Sequence, residues 1–463
     1  MNNILFITYY FPPAGGPGVQ RVAKHVKYLR EFGYNPIVLT ASPEDYVDRS
    51  ELSMIIDESL QADIPEGTEI HRVRSHQPFR LFRLLGKLRL DYLRELLFIP
   101  DSAITWIIPV LRRARRIERG RQIDLIYTSV KPYSVAITGW LLKRVFKKPW
   151  IVDFRDPWTQ YFLAKYPTKL HYKIEQFLEQ FLLRRADHII TNTPTARKNL
   201  LAWCPFLQED RLSCITNGYD PEDFGTRGKA PRKGGSPFTL AYSGVFCGDP
   251  ATEPAGTSNM AVRLWRGLRK SLAYAPRHFD TVTHSPKFLL DAMSALLSER
   301  PELRGKIKLV HIGPYSEANE QYVRDLGIHD VIEARGYVPH SEAVRLLHEV
   351  DALFFCLADS PEKADRNDCV PQKVFEYLGS RQPVLALAPE GDARDYLNQA
   401  GTAVLCSPRD IPAIKIALIY FIEGKVRTTC NEEFIQSFER RRRTQELAEI
   451  FNRTLSSSQT KTG

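Results

Sequence analysis

Between Asn367 and Gly391 the chain reads Asn-Asp-Cys-Val-Pro-Gln-Lys-Val-Phe-Glu-Tyr-Leu-Gly-Ser-Arg-Gln-Pro-Val-Leu-Ala-Leu-Ala-Pro-Glu-Gly. That is a polar loop, a short helix, an apolar strand and a glycine turn. Pro371 suits the first helical turn, where a missing N–H leaves no intrahelical bond unmade. The free N–H groups of that turn and the helix dipole form an anion site, and Lys373 adds a positive charge. Glu376 follows about one and a half turns further in, where a carboxylate can accept two hydroxyl hydrogen bonds from a ribose. Phosphate and ribose together mean a nucleotide. The same order also fits an ordinary parallel βαβ segment with an exposed Glu, and this stretch alone does not separate the two.

The opening of the chain is a second candidate. Ile4 to Tyr9 is an apolar strand, and Tyr10-Phe11-Pro12-Pro13-Ala14-Gly15-Gly16-Pro17-Gly18 is a glycine-rich loop leading into an amphipathic helix from Val19 to Phe32 that Gly33 ends. Gly15, Gly16 and Gly18 allow close backbone approach to a phosphate or sugar, although a tight turn needs glycines as well. A dinucleotide-binding unit would place an acid at the end of its second strand. The strand Tyr34 to Thr40 closes instead on Thr40 and Ala41, which counts against a dehydrogenase.

A third constellation follows a βαβ unit made of the strand Ile123–Ser129, the helix Tyr133–Phe146 and the strand Pro149–Phe154. Ligands of open α/β sheets gather beyond the carboxyl ends of strands, which directs Asp153, Arg155 and Asp156 toward the site. Arg155 cannot act as a general base. It either holds a phosphate or acceptor, or forms a structural ion pair with Asp156.

Asp368 and Glu376 enclose seven residues, and this spacing with its surroundings resembles the acid-x7-acid signature of the retaining GT-B glycosyltransferases of family 4. The resemblance implies that Asp368 contacts the donor sugar, where the family usually has Glu, and that Glu376 contacts the ribose. The loop Pro12-Pro13-Ala14-Gly15-Gly16 is similar to the family's Pro-Pro-x-Gly-Gly opening, which faces the cleft between domains. Asp-Phe-Arg-Asp-Pro-Trp at 153–158 resembles a subset of members. Gly336-Tyr337-Val338 is similar to the position that meets the base, with Tyr337 able to stack on it. In the family the strand corresponding to Phe238–Gly244 leads quickly to a cation that binds the donor diphosphate. Here about thirty-five residues intervene, and counting back from Ala292 puts His284 at that lysine's position. A neutral His offers a hydrogen bond without fixed charge, so Lys287, Arg263 or Arg266 would supply the charge, unless the insertion only decorates the surface.

The fold class that follows is α/β: GT-B, two Rossmann-like domains with parallel sheets facing a central cleft. At 463 residues the chain is long enough for two cores, and 43% hydrophobic content suffices for packed layers. The expected organisation is an acceptor-side domain 1–225, a Gly-, Lys-, Arg- and Pro-rich linker 226–237, a nucleotide-sugar domain 238–435 with an insertion at about 248–283, and a terminal segment 436–463 whose helix crosses back. Seven scattered cysteines without a Cys-x-x-Cys pair suit a reducing cytosol and argue against structural zinc. The first residues lack a basic n-region, and no apolar run has bilayer-spanning length.

Of the net charge of +10, nine units lie between Arg72 and Arg121, with thirteen basic and four acidic residues. Arg80, Arg83, Lys87 and Arg89 alternate there with Phe and Leu, and Leu97, Trp106, Ile107 and Ile108 follow. Such a stretch suits an anionic membrane interface, the alternative being a solvated helix packed on its own domain. No nucleic-acid-binding motif accompanies the charge.

The implied reaction moves a sugar from a nucleotide-diphosphate donor to an acceptor hydroxyl on a glycan or lipid-linked molecule with retention. The catalytic set is Asp153, Arg155, Asp368 and Lys373, and donor binding falls to Gly15, Gly16, Gly18, Gly244, His284, Lys287, Tyr337, Asp368, Lys373 and Glu376. No cofactor or metal is expected. The implied setting is bacterial envelope polysaccharide or glycolipid assembly, in the cytoplasm at the inner face of the plasma membrane. A GT-B sugar-nucleotide epimerase and a non-catalytic nucleotide-sugar-binding subunit are the competing readings.

Overall fold

A computed structural model describes residues 1–47, 56–76, 91–224, 236–250, 271–360 and 366–459. The expected linker from 226 to 235, most of the insertion with Arg263 and Arg266, and the basic residues Arg80, Arg83, Lys87 and Arg89 lie outside these. The chain divides into two compact units. The first comprises 1–217, 257–277 and 440–463, and the second 218–256 and 278–439.

The first unit is built on a seven-stranded parallel sheet: β1 (Asn2–Thr8), β2 (Tyr34–Ala41), β3 (Glu69–Val73), β4 (Leu125–Val130), β5 (Trp150–Phe154), β6 (His188–Thr191) and β7 (Leu212–Cys214). Their order is β3-β2-β1-β4-β5-β6-β7. β1 pairs with β2 through Ile4↔Pro36 and with β4 through Ile4↔Leu125. Its residues Ile4 to Ile7 are fully buried, as central strands covered on both faces require. The helix Pro17–Leu29 begins with Pro17 in its first turn after Gly16 at φ 98°. It passes through a short 3-10 turn and stops at Gly33, whose φ of 84° is left-handed. The helix Arg440–Gln459 belongs to this unit and puts Leu447 and Phe451 into the same core as Val22, Val26 and Tyr127.

In the second unit, β8 (Phe238–Ser243), β9 (Ile307–Ile312), β10 (Ile332–Ala334), β11 (Ala352–Cys356), β12 (Val384–Leu387) and β13 (Ala403–Cys406) form a parallel sheet in the order β10-β9-β8-β11-β12-β13. The strand order turns back at β8, between β9 and β11, which is where open α/β sheets gather ligands. The helix Gln372–Ser380 packs Val374, Phe375, Tyr377 and Leu378 into the core beneath it.

In the described part of the basic stretch 72–121 the apolar residues divide: Leu97 and Ile108 are exposed, while Trp106 and Ile107 depart from the interfacial expectation. Trp106 is fully buried and donates its indole N–H to the Val73 carbonyl at 2.8 Å. Ile107 is buried too, and Val110, Ala114 and Ile117 of the helix Ile107–Gly120 join the core. Trp106 and Ile107 therefore do not face a membrane, because the unit's own core takes them. Among the described helices, none is long and apolar enough to cross a membrane.

Candidate functional site

Pro371, extended at φ −62° and ψ 152°, immediately precedes the helix Gln372–Ser380 instead of opening its first turn. The helix is fixed at both neighbouring strands by one hydroxyl. Tyr377 donates to the Phe354 carbonyl of β11 at 3.0 Å and accepts from the Ser243 N–H of β8 at 3.1 Å. Gln372 adds a bond to the Gly218 carbonyl at 2.9 Å. The helix N-terminus is thereby held beside the end of β8.

Three glycines line that end of the sheet. Gly244, with φ 115°, donates its N–H to the Ile312 carbonyl at 2.8 Å, and Gly313, with φ 140°, donates to the Gly336 carbonyl at 2.8 Å. A Cβ on Gly313 would stand 2.5 Å from the Gly244 carbonyl oxygen, so the backbones approach as closely as glycine permits. A Cβ on Gly244 would stand 3.1 Å from the Lys373 ammonium nitrogen. Lys373 is half-buried, bonds to the Tyr242 hydroxyl, and lies 3.8 Å from that ring's centroid. Burial lowers its pKa to about 8, against the opposing influence of Cys356, Cys247 and Glu376. An anion arriving here would meet a cation and the helix N-terminus, beside glycine turns that leave no side chain in the way.

His284 is 4% exposed, and neither of its ring nitrogens has a hydrogen-bond partner. Burial and then the charge of Lys373 lower its pKa to about 3, so the ring is neutral at physiological pH. The His at this position therefore brings no fixed charge. Lys287 does not replace that charge freely, since it is paired with Asp291 at 3.1 Å and bonds to the Tyr322 hydroxyl.

Asp368 is buried at 3% exposure. Its loop is fixed by Asn367, which bonds to the Ala358 carbonyl at 2.7 Å and accepts from the Cys369 N–H at 2.8 Å. The Glu376 side chain is 13% exposed, with Oε1 3.9 Å from His340 Nδ1, while His340 Nε2 is 3.7 Å from Asp223. Tyr337 is 46% exposed.

In the first unit, Asp153 is corrected. Expected to face a ligand, it is fully buried, accepts two hydrogen bonds from Arg21 at 2.9 and 3.0 Å, and accepts a third from the Tyr127 hydroxyl at 2.5 Å. Arg21 also donates to the carbonyls of Thr216 and Ile215. Asp153 is a buried anchor that holds Arg21 and Tyr127. The ion pair considered between Arg155 and Asp156 is not formed, and Asp156 lies 3.7 Å from Lys131 instead. Arg155 donates to the carbonyls of Val130 at 3.0 Å and Lys131 at 2.6 Å, and its Nη1 occupies the space that a side chain at Gly18 would need. Gly16 is exposed and Gly15 buried.

Sequence reasoning missed Arg21, Tyr242 and His340. Each is one unremarkable residue of a helix or strand, and only its long-range partner gives it a role.

Two units of parallel sheet with helices on both faces, in these strand orders, define the GT-B architecture of glycosyltransferases. Residues 17–223 match the family described as Glycosyltransferase Family 4, so the resemblance drawn from the sequence motifs is borne out. Among solved structures the chain is similar to sucrose-phosphate synthase from Thermosynechococcus elongatus, with 13% identity, TM-score 0.62, and 99% of this chain and 100% of that one covered. It is also similar to Anabaena HepE in complex with UDP, at 14% identity and TM-score 0.59 over 98% and 100% of the two chains. A third is the lipopolysaccharide outer core galactosyltransferase WaaB, at 14% identity and TM-score 0.55 over 98% and 99%. No curated protein sequence matches.

Proposed function

We propose that the protein is a retaining glycosyltransferase that moves a sugar from a nucleotide-diphosphate donor to an acceptor hydroxyl. The observation that carries this reading is the cluster at the end of β8. The Lys373 amine, the N-terminus of the helix Gln372–Ser380 and the tight backbone of Gly244 and Gly313 converge beside an unpartnered, buried His284. Diphosphate oxygens would take bonds from the free N–H groups and Lys373, and His284 would add one neutral N–H. The charge developing on the leaving diphosphate is then stabilised by groups fixed before the reaction begins. Glu376 is assigned to the ribose hydroxyls, Asp368 to the sugar, and Tyr337 to stacking on the base. The solved complexes of HepE with UDP and with UDP-glucose support a uridine donor.

In the first unit, Arg155 beside Gly18 and the N-terminus of the helix Pro17–Leu29 are assigned to the acceptor or to a donor phosphate, with Gly15 and Gly16 shaping the loop. Lys287 keeps only a supporting part, holding Asp291 and Tyr322. These assignments place the transition-state charge on the chain's own cations and N–H groups, so the reading includes turnover without a divalent metal. It also includes a glycan or lipid-linked acceptor, envelope polysaccharide or glycolipid assembly, and work at the cytoplasmic face of an anionic membrane.

Product analysis with a panel of sugar nucleotides and lipid acceptors tests this. Glycosylated acceptor with the donor's anomeric configuration is the expected result. Free epimerised sugar nucleotide would establish an epimerase, and nucleotide binding without any product across the panel would establish a binding subunit.

A further inference from the structure

The first three turns of the helix Lys169–Leu183 are turned inside out, whereas its last turn puts Leu182 and Leu183 into the core. Its inner face carries Tyr172, Glu175, Gln176 and Glu179, all buried, while Leu170 is 67% exposed, Ile174 36% and Phe177 67%. Exposed apolar residues at i, i+4 and i+7 form a single row along one side of a helix. The carboxylates are satisfied inside. The Trp158 indole donates to Glu175 at 2.7 Å, and the Thr159 hydroxyl bonds to Glu179. A water-facing helix would show the reverse arrangement.

The charges around the row have one sign. Every exposed side chain between positions 165 and 185 is either apolar or basic, the basic ones being Lys165, Lys169, Lys173, Arg184 and Arg185. The row continues at both ends. His171 Nε2 lies 3.3 Å from the Leu96 carbonyl, which brings Leu97, 70% exposed, to the start of the helix. At the other end Phe181 meets Trp140 edge-on at 5.0 Å, on a helix whose exposed residues are Arg144 and Val145.

We infer that this face, with Leu170, Ile174 and Phe177 as its apolar row, docks the first unit on an anionic lipid bilayer. The three apolar side chains enter the boundary between headgroups and acyl chains, and the lysines and arginines beside them meet lipid phosphates. Lipid is the occupant because the row is narrow, lies along one helix and is flanked only by positive charge, the pattern of an interfacial helix. The inference rests on the membrane part of the proposed function and is independent of the donor site. It moves the contact away from Trp106 and Ile107, which the core has taken.

The test is co-sedimentation of the full chain with vesicles of phosphatidylcholine alone or mixed with phosphatidylglycerol, alongside calorimetry with UDP. Wild-type protein should bind the anionic vesicles at low salt and release as salt rises. The Leu170→Ser/Ile174→Ser/Phe177→Ser variant should lose at least about tenfold in vesicle affinity. Lys169→Gln/Lys173→Gln should weaken binding and flatten its salt dependence. UDP affinity and the melting temperature should be unchanged in both, which separates this outcome from a failure of the donor reading. The inference is overturned if wild-type protein ignores anionic vesicles, or if the triple variant binds them equally. It is also overturned if wild-type protein is an oligomer that the triple variant converts to a monomer, since the row would then be a protein interface.

Discussion

Arg21 and Asp153, separated by 132 positions in sequence, form a two-pronged ion pair in which neither side chain is more than 1% exposed. Removing one member of such a pair leaves an uncompensated buried charge, which costs about 3–5 kcal/mol. Asp153→Ala should therefore destabilise the first unit by that amount in chemical denaturation. An Asp153→Ala protein of native stability that has lost turnover would return Asp153 to a catalytic role.

Lys373 sets a pH dependence for donor binding. Its pKa is lowered to about 8 by burial, and a bound diphosphate would favour the charged amine and raise that value. Nucleotide affinity should accordingly be full at pH 7 and fall as pH rises above about 8, with proton uptake on binding near pH 8 to 9. Calorimetry in buffers of different ionisation enthalpy measures both. Affinity that is flat from pH 7 to 9.5 would remove the Lys373 amine from the site.

Glu376→Ala should weaken nucleotide binding by about 2 kcal/mol, the scale of a hydrogen bond to a charged group, while the fold survives because the carboxylate's ion-pair partner, His340, is 3.9 Å away. Gly244→Ala should weaken it as well, since the new methyl group would crowd the Lys373 nitrogen in a backbone conformation with φ 115°. Unchanged affinity in folded variants would contradict the assignment.

Turnover should persist in EDTA, because the diphosphate is assigned to Lys373, the helix N-terminus and backbone N–H groups. Complete loss of turnover, restored by magnesium or manganese, would show that a cation completes the site.

Glu175 and Glu179 bear on stability. Burial raises their pKa values to about 8 and about 7, with the bonds from Trp158 and Thr159 opposing. A carboxyl whose folded value lies above its unfolded value holds more protons when folded. Its stabilising contribution is present at low pH and is lost as pH rises through the folded value. The contribution of this pair should therefore fall from about pH 4.5, where the carboxyls titrate in the unfolded chain, to about pH 8, by at most about 1.4 kcal/mol per pH unit for each proton. Glu175→Gln/Glu179→Gln should flatten that slope relative to wild type in thermal melts taken at each pH.

The sequence determined the local pieces of this protein and their chemistry. Apolar runs such as Ile4–Ile7 and Leu353–Phe355 are uniformly hydrophobic because both faces of a parallel strand are covered, so they announce themselves. Gly33, Pro17 and the Asp368–Glu376 spacing act within a turn or two of chain, and the helix and loop they imply are present. The strand β3 at Glu69–Val73, half polar and at the sheet edge, carries no such signal.

Tertiary structure alone decided which charged residues are available. Asp153 reads as a ligand-facing acid until Arg21 and Tyr127 are found to bond to it in the core. Trp106 and Ile107 read as membrane residues until Val73 and the first core enclose them. Leu170, Ile174 and Phe177 are apolar yet exposed, because Glu175 and Glu179 hold the inner face of their helix. In each case the deciding partner lies on another element or on the opposite side of the same helix. Periodicity gives the spacing of a face, but the direction that face points is set by what packs against it.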